Sequence, residues 1–400
     1  MNFDAAREAA ELRNQLSSDK RRLAFFFGAG TSQAVGIPGL IPLTKLVSEG
    51  LSKDDRDHFE RLRTQDKDGN LETVLNRVRL CREMLGDNAT RKVEELSAAE
   101  AGALDRNICH QIRKHVGVSP PRGLKTHYIF AHWLKTIRRV FPIEIFTTNY
   151  DLLLEMAMES AETPHFDGFV GSVSPFFRVT SIEADFGGIP MPTVPPDWIR
   201  LWKLHGSIGW VMVRDELAGS KRIVRRGAFS TTSDDELMVY PSRQKYSDSR
   251  RLPFMAYQDR LRRLLASGES LLVTCGYSFS DEHLNEILFQ SLRSNPRLAV
   301  TALMFDSLQS EPIKRNLIQV TEGITNLTIY GPDAAVVGGR FGTWLSPTEK
   351  PPSGVANWPF WNDDQKTFRL GDFASFVEFL RAFLGTRGLA LGGSEVSPNA

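Results

Sequence analysis

Uninterrupted apolar runs alternate along this chain with segments whose apolar residues recur every three or four positions. The first pattern is typical of strands buried on both faces, and the second of amphipathic helices. The strand candidates span residues 23–27, 142–147, 200–204, 210–213, 237–240, 270–275, 299–305 and 326–330. The helix candidates that accompany them span residues 3–18, 255–265, 282–292 and 311–320. This alternation predicts an α/β fold, with a Rossmann-like, doubly wound and mostly parallel sheet.

Residues 43–138 interrupt the alternation, because they are nearly free of strand signals. Their apolar residues keep helical spacing, which predicts a helical insertion that ends in a helix through residues 128–134. We expect residues 1–345 to form one domain that carries this insertion. Residues 346–400 are expected to add a surface loop over 346–363, a closing helix over 372–384 and a disordered Gly/Ser-rich tail. A Pro-rich stretch at 188–196 predicts another long surface loop.

The turn after the first apolar run carries candidate chemistry. The run 23–27 ends in Gly28-Ala29-Gly30, and Thr31 or Ser32 then suits the N-cap of a short helix. Glycines let the backbone approach a diphosphate closely, and a helix N-terminus favours an anion. The turn therefore predicts a dinucleotide phosphate site, although a lone Gly-x-Gly fits a tight strand-to-helix turn equally well.

Two familiar nucleotide-binding patterns are incomplete in this chain. Gln33 stands where a dehydrogenase carries its third glycine, and Gly36 with Pro38 ends the short helix instead. Glu49 has the spacing of a ribose-binding acid but belongs to a helical segment. The sequence also contains no Gly-x-x-x-x-Gly-Lys-Ser/Thr loop. A standard dehydrogenase and a P-loop ATPase are both disfavoured.

Composition narrows the class of protein further. The 400 residues are 41% hydrophobic with a net charge of +1, which argues against broad nucleic-acid binding. Three widely spaced cysteines, Cys81, Cys109 and Cys275, do not fit a Cys-x-x-Cys zinc site and suit a reducing compartment. The charged N-terminal segment is unlike a signal peptide, and no apolar run is long enough to span a bilayer. We expect a cytoplasmic protein without zinc.

Polar residues follow several of the predicted strands. Ligands of open parallel sheets bind outside the carboxyl ends of the strands, so these residues are expected to meet at one edge. The four segments are Thr147-Thr148-Asn149-Tyr150-Asp151, Lys203-Leu204-His205-Gly206-Ser207, Thr274-Cys275-Gly276-Tyr277-Ser278-Phe279-Ser280-Asp281 and Met304-Phe305-Asp306.

In this order the motifs resemble those of the sirtuin family, over about residues 23–306. Residues 28–32 match the phosphate-binding Gly-Ala-Gly-x-Ser, and residues 36–38 match the Gly-Ile-Pro that follows it. Residues 148–151 match the Gln-Asn-x-Asp segment, and His205-Gly206 match the catalytic His-Gly pair. Residues 276–278 stand where sirtuins carry Gly-Thr-Ser. The resemblance implies that residues 1–345 are an NAD-binding catalytic domain.

The departures from the family are informative too. Sirtuin deacylases carry a four-cysteine zinc module in the region that corresponds to 207–274, which here contains no cysteine. Their Phe-Arg after Gly-Ile-Pro is also absent. The chain thus resembles the sirtuin-like NAD hydrolases of bacterial anti-phage systems, which destroy NAD. A subunit of this size resembles those that form oligomers and assemble with a separately encoded motor ATPase.

The resemblance also implies roles for individual residues. Asn149 would hold a ribose hydroxyl or a water, His205 would act as the base, and Asp151 would orient one of these groups. NAD, as substrate, would be held by Gly28, Ala29, Gly30, Thr31 and Ser32 at the diphosphate, and by Gly276, Ser278 and Asp306 elsewhere.

Each residue also has a structural interpretation. Asn149 fits an Asx-turn, Asp151 fits the cap of the helix that follows it, and His205 alone fits a structural histidine. Asp281 and His283 are expected to begin a helix. A cluster of basic residues predicts a solvated hairpin or an oligomer contact, and more weakly a nucleic-acid contact, because no aromatic platform accompanies it. Its members are Lys221, Arg225, Arg226, Arg243, Lys245, Arg250 and Arg251.

The leading expectation is hydrolysis of NAD to nicotinamide and ADP-ribose. The alternatives are a zinc-free NAD-dependent protein deacylase and a non-catalytic NAD or ADP-ribose sensor that scaffolds a partner ATPase. The activating trigger, the oligomeric state and a cyclic product stay open at this stage.

Overall fold

A computed structural model describes most of the chain. The described residues are 1–66, 69–86, 88, 90–117, 124–182, 194–214, 219, 221–227, 236–239, 253–348 and 358–382.

Strands and helices alternate through much of this part of the chain. The strands are β1 (Asn2–Asp4), β2 (Arg22–Phe27), β3 (Glu144–Thr147), β4 (His165–Phe166), β5 (Phe169–Val170), β6 (Phe176–Phe177), β7 (Ile199–Lys203), β8 (Gly206–Arg214), β9 (Lys221–Arg225), β10 (Glu236–Val239), β11 (Ser270–Cys275), β12 (Leu298–Leu303), β13 (Leu327–Tyr330), β14 (Ala334–Val337), β15 (Arg340–Leu345), β16 (Trp361–Asn362) and β17 (Thr367–Phe368). The α-helices are α1 (Ala5–Ser17), α2 (Ala29–Gln33), α3 (Leu40–Gly50), α4 (Lys53–Thr64), α5 (Leu71–Leu85), α6 (Ala98–Val116), α7 (Leu124–Thr136), α8 (Leu153–Ser160), α9 (Pro253–Ala266), α10 (Glu282–Ser294), α11 (Glu311–Ile313) and α12 (Phe373–Arg381).

In the described part of the chain, ten strands form the main sheet, in the order β1-β15-β14-β13-β12-β11-β2-β3-β7-β4. The seven strands from β13 to β4 are mutually parallel. The chain moves from β2 towards β3 and β7, and later from β11 towards β12 and β13. The strand order therefore reverses between β2 and β11, which is where open α/β sheets bind ligands. The predicted Rossmann-like, mostly parallel α/β fold is confirmed.

Alternate residues of β2 explain why this strand lies at the centre of the sheet. Phe25 and Phe27 belong to one hydrophobic core, which includes residues of α1, α7, α8 and α12. Ala24 and Phe26 belong to the opposite core, with residues of α9 and α10. Successive side chains of a strand point to opposite faces, so a run that is apolar throughout must be covered on both.

The helical insertion contributes most of a third hydrophobic core. Helices α3 to α6 bury this cluster, which includes Phe59, Leu75 and Ile108, together with residues of α8, β8 and β9. These helices lie within or next to residues 43–138, where the sequence predicts a helical insertion. Helix α7 packs on the sheet, because Phe130 and Trp133 contact Phe25. It is therefore the helix of the β2-to-β3 crossover rather than part of the insertion's core.

Two parts of the fold differ from the expectation. Strands β8 and β10, expected as members of the parallel sheet, lie in a separate antiparallel sheet of order β10-β8-β9-β6-β5. The helix expected over 311–320 is irregular, since α11 passes into a π-turn at Lys314–Ile318 and a 3₁₀ turn at Gln319–Thr321. Pro312 at the start of α11 supplies no N–H, but nothing in the structure explains the π-turn.

The C-terminal region follows the prediction in part. Helix α12 is capped by Asp372, which accepts a hydrogen bond from the Ser375 N–H, and its apolar face enters the core around Phe25. The expected tail after residue 384, residues 188–193 of one expected loop and residues 349–357 of the other lie outside the described residues. The described end of the second segment is not a surface loop, because Trp361 and Asn362 form β16 and Trp361 is buried.

Candidate active site

The carboxyl ends of the central strands lie at one level. Thr147 is paired in register with Phe27 on one side and with Lys203 on the other. Phe27 is paired in turn with Cys275 on the far side. The segments that follow these strands therefore begin at the same edge, as the sequence predicts. They carry Gly28, Asn149, His205 and Gly276.

The glycine turn differs in detail from the prediction. Helix α2 begins at Ala29 with Gly28 as its N-cap, so neither Thr31 nor Ser32 is the cap. The reason is local, because Thr31 uses its Oγ1 to donate to the Gly28 carbonyl at 3.0 Å, from inside the helix. Of the turn's residues, Ala29 is exposed, whereas Thr31 and Ser32 are buried.

The glycines of this turn contact a second glycine loop. A Cβ on Gly30 would lie 2.6 Å from the Gly276 Cα, and Gly30 N–H donates to the Gly276 carbonyl at 3.0 Å. Gly276 itself has φ +66° and follows β11. Both glycines are thus required for the contact between the two loops. This contact fixes the turn at the switch point, whatever ligand it binds.

Asn149 connects β3 to the glycine turn. Its Nδ2 donates to Ser32 Oγ at 2.8 Å and to Thr31 Oγ1 at 3.0 Å. Its backbone N–H donates to Thr147 Oγ1, so the Thr147 hydroxyl, and not the Asn149 side chain, stabilises the end of β3. The amide side chain is therefore part of a network across two loops and not a local turn.

The network fixes the orientation of the Asn149 amide. Thr31 donates its hydroxyl proton to Gly28, and Ser32 donates its own to Asp151 Oδ2 at 2.6 Å. Both hydroxyl oxygens then need a donor, so the NH₂ group must face them. The Oδ1 of Asn149 is left buried and without a hydrogen-bond partner among the described residues. Such an acceptor carries a desolvation cost that a ligand's donor would remove.

Asp151 is linked to Asn149 through Ser32. One carboxylate oxygen accepts from Ser32, and the other accepts from the backbone N–H of Leu153, the first residue of α8. Its contact with the start of the helix agrees with the structural interpretation, while its link to Asn149 passes through Ser32. Buried Lys203 donates to the Asp151 carbonyl and to Glu155 at 2.8 Å, which holds this loop against β7.

His205 lies between two carboxylates. Its Nε2 is 3.0 Å from Asp281 Oδ2, and its Nδ1 is 3.8 Å from Glu72 Oε1. Gly206, at φ +86°, allows the sharp backbone turn that directly follows His205. Burial alone disfavours the imidazolium, but the hydrogen bond to Asp281 and the charge of Glu72 outweigh it and raise the pKa of His205.

The two carboxylates respond to the histidine in opposite directions. Burial tends to raise the pKa of Asp281, but its hydrogen bond to His205 and the nearby positive charge lower it below its usual value. For Glu72, burial is the larger effect and raises the pKa, although His205 and the Tyr150 hydroxyl oppose this. Asp281 is therefore the stronger partner of the imidazolium.

Sequence reasoning assigned neither carboxylate to the site. Asp281 does cap α10, as predicted, by accepting from the N–H groups of His283 and Leu284 with Oδ1. Its second oxygen is the one that reaches His205. Glu72 belongs to the insertion, 133 positions before His205, and no local signal connects the two. The one sequence signal was the position of Asp281 shortly after a predicted strand, which places it near the carboxyl edge of the sheet.

The other predicted ligand-binding residues lie nearer to solvent. Ser278 is exposed and shares a hydrogen bond of 2.9 Å with Ser280. Asp306 follows β12 and is exposed, next to Phe305, whose surface is 68% exposed. They share the edge of the sheet with the Asn149 network but are not joined to it by a hydrogen bond that the structure shows.

Two further predictions concern the remaining chemistry. Within the described ranges, no group of three or more His, Cys, Asp or Glu side chains is arranged to hold a metal ion. Of the basic residues, Lys221 to Arg225 form β9, paired with β8, and Arg225 binds buried Asp167 at 2.6 Å. Arg243, Lys245, Arg250 and Arg251 lie outside the described residues. In the part of the chain that is described, no helix is both long and apolar enough to cross a bilayer.

The fold and this edge define a class: an α/β protein with a candidate nucleotide site at the switch point of a parallel sheet. Comparison with known families agrees with that class. Residues 143–327 match the family model of the SIR2-like domain. The match covers β3 to the start of β13 and contains Asn149, His205 and Gly276. It leaves out β2, the glycine turn and the insertion. No curated protein matches the sequence.

Solved Sir2 structures resemble the chain at low identity. One described as the structural basis for the mechanism and regulation of Sir2 enzymes has 13% identity and a TM-score of 0.36, covering 78% of this chain and 90% of that one. A Sir2 homologue in complex with ADP-ribose has 15% identity and a TM-score of 0.33, covering 78% and 94%. A Sir2 structure with a p53 peptide and NAD⁺ has 14% identity and a TM-score of 0.36, covering 78% and 97%.

Proposed function

We propose that this protein is an NAD glycohydrolase, which cleaves the nicotinamide–ribose bond and releases nicotinamide and ADP-ribose. The observation that carries the proposal concerns the buried Oδ1 of Asn149, which has no hydrogen-bond partner among the described residues and lies at the same sheet edge as a histidine between two carboxylates. The match of residues 143–327 to the SIR2-like domain supports NAD as the substrate.

The reaction needs an acceptor and a base rather than a general acid. The C1′–N bond breaks through an oxocarbenium-like state, and its electron pair stays on the nitrogen of nicotinamide, which leaves as a neutral molecule. A water oxygen forms the new bond to C1′ and gives up a proton. Asn149 Oδ1 can accept a hydrogen bond from that water or from a ribose hydroxyl. Neutral His205, whose Nε2–H donates to Asp281, takes the proton at Nδ1.

The carboxylates beside His205 make it a stronger base. Asp281, at Nε2, stabilises the imidazolium that forms when the proton is taken, as the carboxylate of a catalytic triad does. Because the pKa of His205 is raised, a larger part of the histidine is protonated at neutral pH than for an ordinary imidazole. The base form is therefore favoured in mildly alkaline solution.

The glycine turn would hold the diphosphate of the substrate. Ala29, the first residue of α2, is exposed at this turn. Gly28, Gly30, Thr31 and Ser32 would supply the shape of this turn, with the two hydroxyls committed to Asn149 and Asp151. Gly276, Ser278 and Asp306 would line the same edge, where Ser278 and Asp306 are exposed enough to contact the adenosine half.

The biological role that we infer is the depletion of NAD during anti-phage defence, in the cytoplasm. This inference rests on the resemblance of the motifs to sirtuin-like NAD hydrolases. It includes a homo-oligomer and a separately encoded motor ATPase as partners. We expect no zinc to be needed, because the cysteine module of the deacylases is missing from residues 207–274.

The proposal is tested by incubating the purified protein with NAD and separating the products by chromatography, with and without the product of the neighbouring gene. Asn149→Ala and His205→Ala are expected to lose nicotinamide release by about 10² or more while remaining folded. Asn14→Ala and His110→Ala, at exposed positions on α1 and α6, are the matched controls and should retain the activity.

The same experiment separates the alternative functions. Product that forms only with an acylated peptide would identify a deacylase and overturn the hydrolase proposal. NAD or ADP-ribose binding without product, with or without the partner, would identify a sensor. Unchanged turnover in both site variants would show that the chemistry lies elsewhere.

A further inference from the structure

Glu72 occupies a fixed position in the helical insertion. It is the second residue of α5, whose first turn is closed by a capping box between Asn70 and Thr73. The Leu71 N–H donates to Thr44 Oγ1 of α3 at 3.0 Å, which ties this turn to the neighbouring helix. Helix α5 also packs against α3, α4 and α6 around the insertion's core. The backbone of Glu72 is therefore held by the insertion and not by the sheet.

The side chain of Glu72 leaves the insertion and reaches the sheet edge. Its Oε1 accepts a hydrogen bond from the hydroxyl of Tyr150, the residue directly after Asn149. The same oxygen lies 3.8 Å from His205 Nδ1, while Asp281 is bonded to the other ring nitrogen. The starts of α5 and α10, far apart in sequence, thus place carboxylates on opposite sides of one imidazole ring.

We propose that Glu72 is a positioning residue for His205, and that the helical insertion is therefore a working part of the active site. Glu72 holds the ring from its Nδ1 side and, with Asp281, stabilises the imidazolium formed when His205 takes a proton. Tyr150 keeps the carboxylate in place. This inference rests on the proposed hydrolase reaction, but its physical content can be measured without turnover.

The charges around the ring give the sign of the expected effect. Glu72 from α5 and Asp281 from the start of α10 are the charged groups that raise the pKa of His205, against the effect of burial. Glutamine at position 72 keeps an acceptor for the Tyr150 hydroxyl and removes the negative charge. The imidazolium then loses a stabilising neighbour, so the pKa of His205 must fall.

The direct test is an NMR titration of the intact protein labelled at histidine, with the His205 signal assigned by its loss in His205→Ala. In Glu72→Gln the titration midpoint of His205 should move to lower pH. Glu49→Gln, at an exposed position on α3 of the same insertion, should leave it unchanged. A His205 midpoint that is the same in Glu72→Gln as in the unchanged protein overturns the inference, even if NAD is not the substrate.

The kinetic test uses the pH dependence of nicotinamide release. Since the His205 of Glu72→Gln stays neutral at lower pH, the acidic limb of its kcat profile should move to lower pH. Its kcat on the alkaline plateau should fall about tenfold, because the base is weaker and less well oriented, with KM nearly unchanged. A merely structural role would lower the amount of folded enzyme without moving the limb.

A second variant protects the test against misfolding of the first. Tyr150→Phe keeps the charge of Glu72 but removes the hydrogen bond that positions it, so kcat should fall by a smaller factor than in Glu72→Gln. An acidic limb at the same pH in Glu72→Gln as in the unchanged enzyme, with Tyr150→Phe fully active, would refute the positioning role. Absence of turnover in every form, with the NMR shift present, would refute the hydrolase proposal alone.

Discussion

Asn149 Nδ2 donates a hydrogen bond of 2.8 Å to Ser32 Oγ, although 117 positions separate the two residues. The Ser32 hydroxyl in turn donates a hydrogen bond to Asp151, so it connects the side-chain amide of Asn149 to the carboxylate of Asp151. Asn149, Ser32 and Asp151 thus form a chain of hydrogen bonds in which each donor is fixed. That arrangement leaves the Oδ1 of Asn149 available to a substrate.

Ser32→Ala should break this chain. The variant leaves Asp151 Oδ2 without its buried donor, which is expected to cost about 1–3 kcal/mol of unfolding free energy. It also removes one of the two acceptors that fix the Asn149 amide, so nicotinamide release should fall about tenfold or more. Chemical denaturation and product chromatography measure the two effects.

Thr31→Ser is the matched control, because it keeps a hydroxyl at the neighbouring position of the same turn. It should retain most of the activity. Full activity of Ser32→Ala would mean that the Asn149 amide does not depend on this hydroxyl.

Gly276→Ala should displace the glycine turn. The new Cβ would lie 2.6 Å from the Thr31 backbone N, at a residue whose φ is +66°. Gly268→Ala carries a similar conformational cost at φ +59°, but its new Cβ would meet no atom of the described part of the chain within 4 Å. We expect about 1–2 kcal/mol of destabilisation for Gly268→Ala, from backbone strain alone.

The Gly276 variant should lose more stability than the Gly268 variant, and only it should lose NAD binding. Denaturation and calorimetric titration with NAD compare the two. Equal losses in both variants would show that the contact between the two loops adds nothing to the site.

Asp281→Asn should separate the charge of this residue from its role as a helix cap. Asparagine caps helices as well as aspartate, so α10 should remain stable. His205 loses the charge at Nε2, which lowers its pKa and moves the acidic limb of the pH–rate profile to lower pH. The rate should fall by up to about 10². An unchanged profile would exclude Asp281 as the partner of the base.

His127→Phe should change the acid stability of the fold. His127 is buried on α7 beside Phe373, and its Nδ1 has no partner among the described residues. Burial lowers its pKa to about 4, so between pH 6.5 and 4 the unfolded chain binds a proton that the folded one does not. The free energy of unfolding must therefore decrease as the pH is lowered from 6.5 to 4, by on the order of 3 kcal/mol in total.

The variant should lose this part of the pH dependence, as measured by urea denaturation at several pH values. His132→Phe, on the same helix at a partly exposed position, should keep it. Equal pH dependence in all three proteins would assign the acid sensitivity to other groups.

The sequence predicts the central sheet well because its strands are apolar on both faces. The runs at β2, β11 and β12 do not alternate with polar residues, a pattern typical of strands covered by helices on both faces. Strand β15 is not predicted, since it is mostly exposed and carries a weak apolar signal. Membership of β8 in the second sheet depends on its partners and not on its own residues.

The site could be predicted only as far as strand ends reveal it. Asn149, His205 and Gly276 follow apolar runs, so their common edge is foreseeable from the parallel arrangement. The hydroxyl chain through Ser32 depends on rotamers in two loops. Glu72 depends on how the insertion folds back onto the sheet, which no pattern within the insertion encodes.

Strand β2 has a consequence for how this chain can be divided. It lies between β11 and β3, yet it precedes the segment 143–327 that matches the SIR2-like family model. A fragment cut to that segment would lose the strand at the middle of its own sheet. The facing edges of β11 and β3 would be left unpaired in its place, and such strand edges promote aggregation. Truncation guided by sequence similarity alone would therefore cut through the core of the molecule.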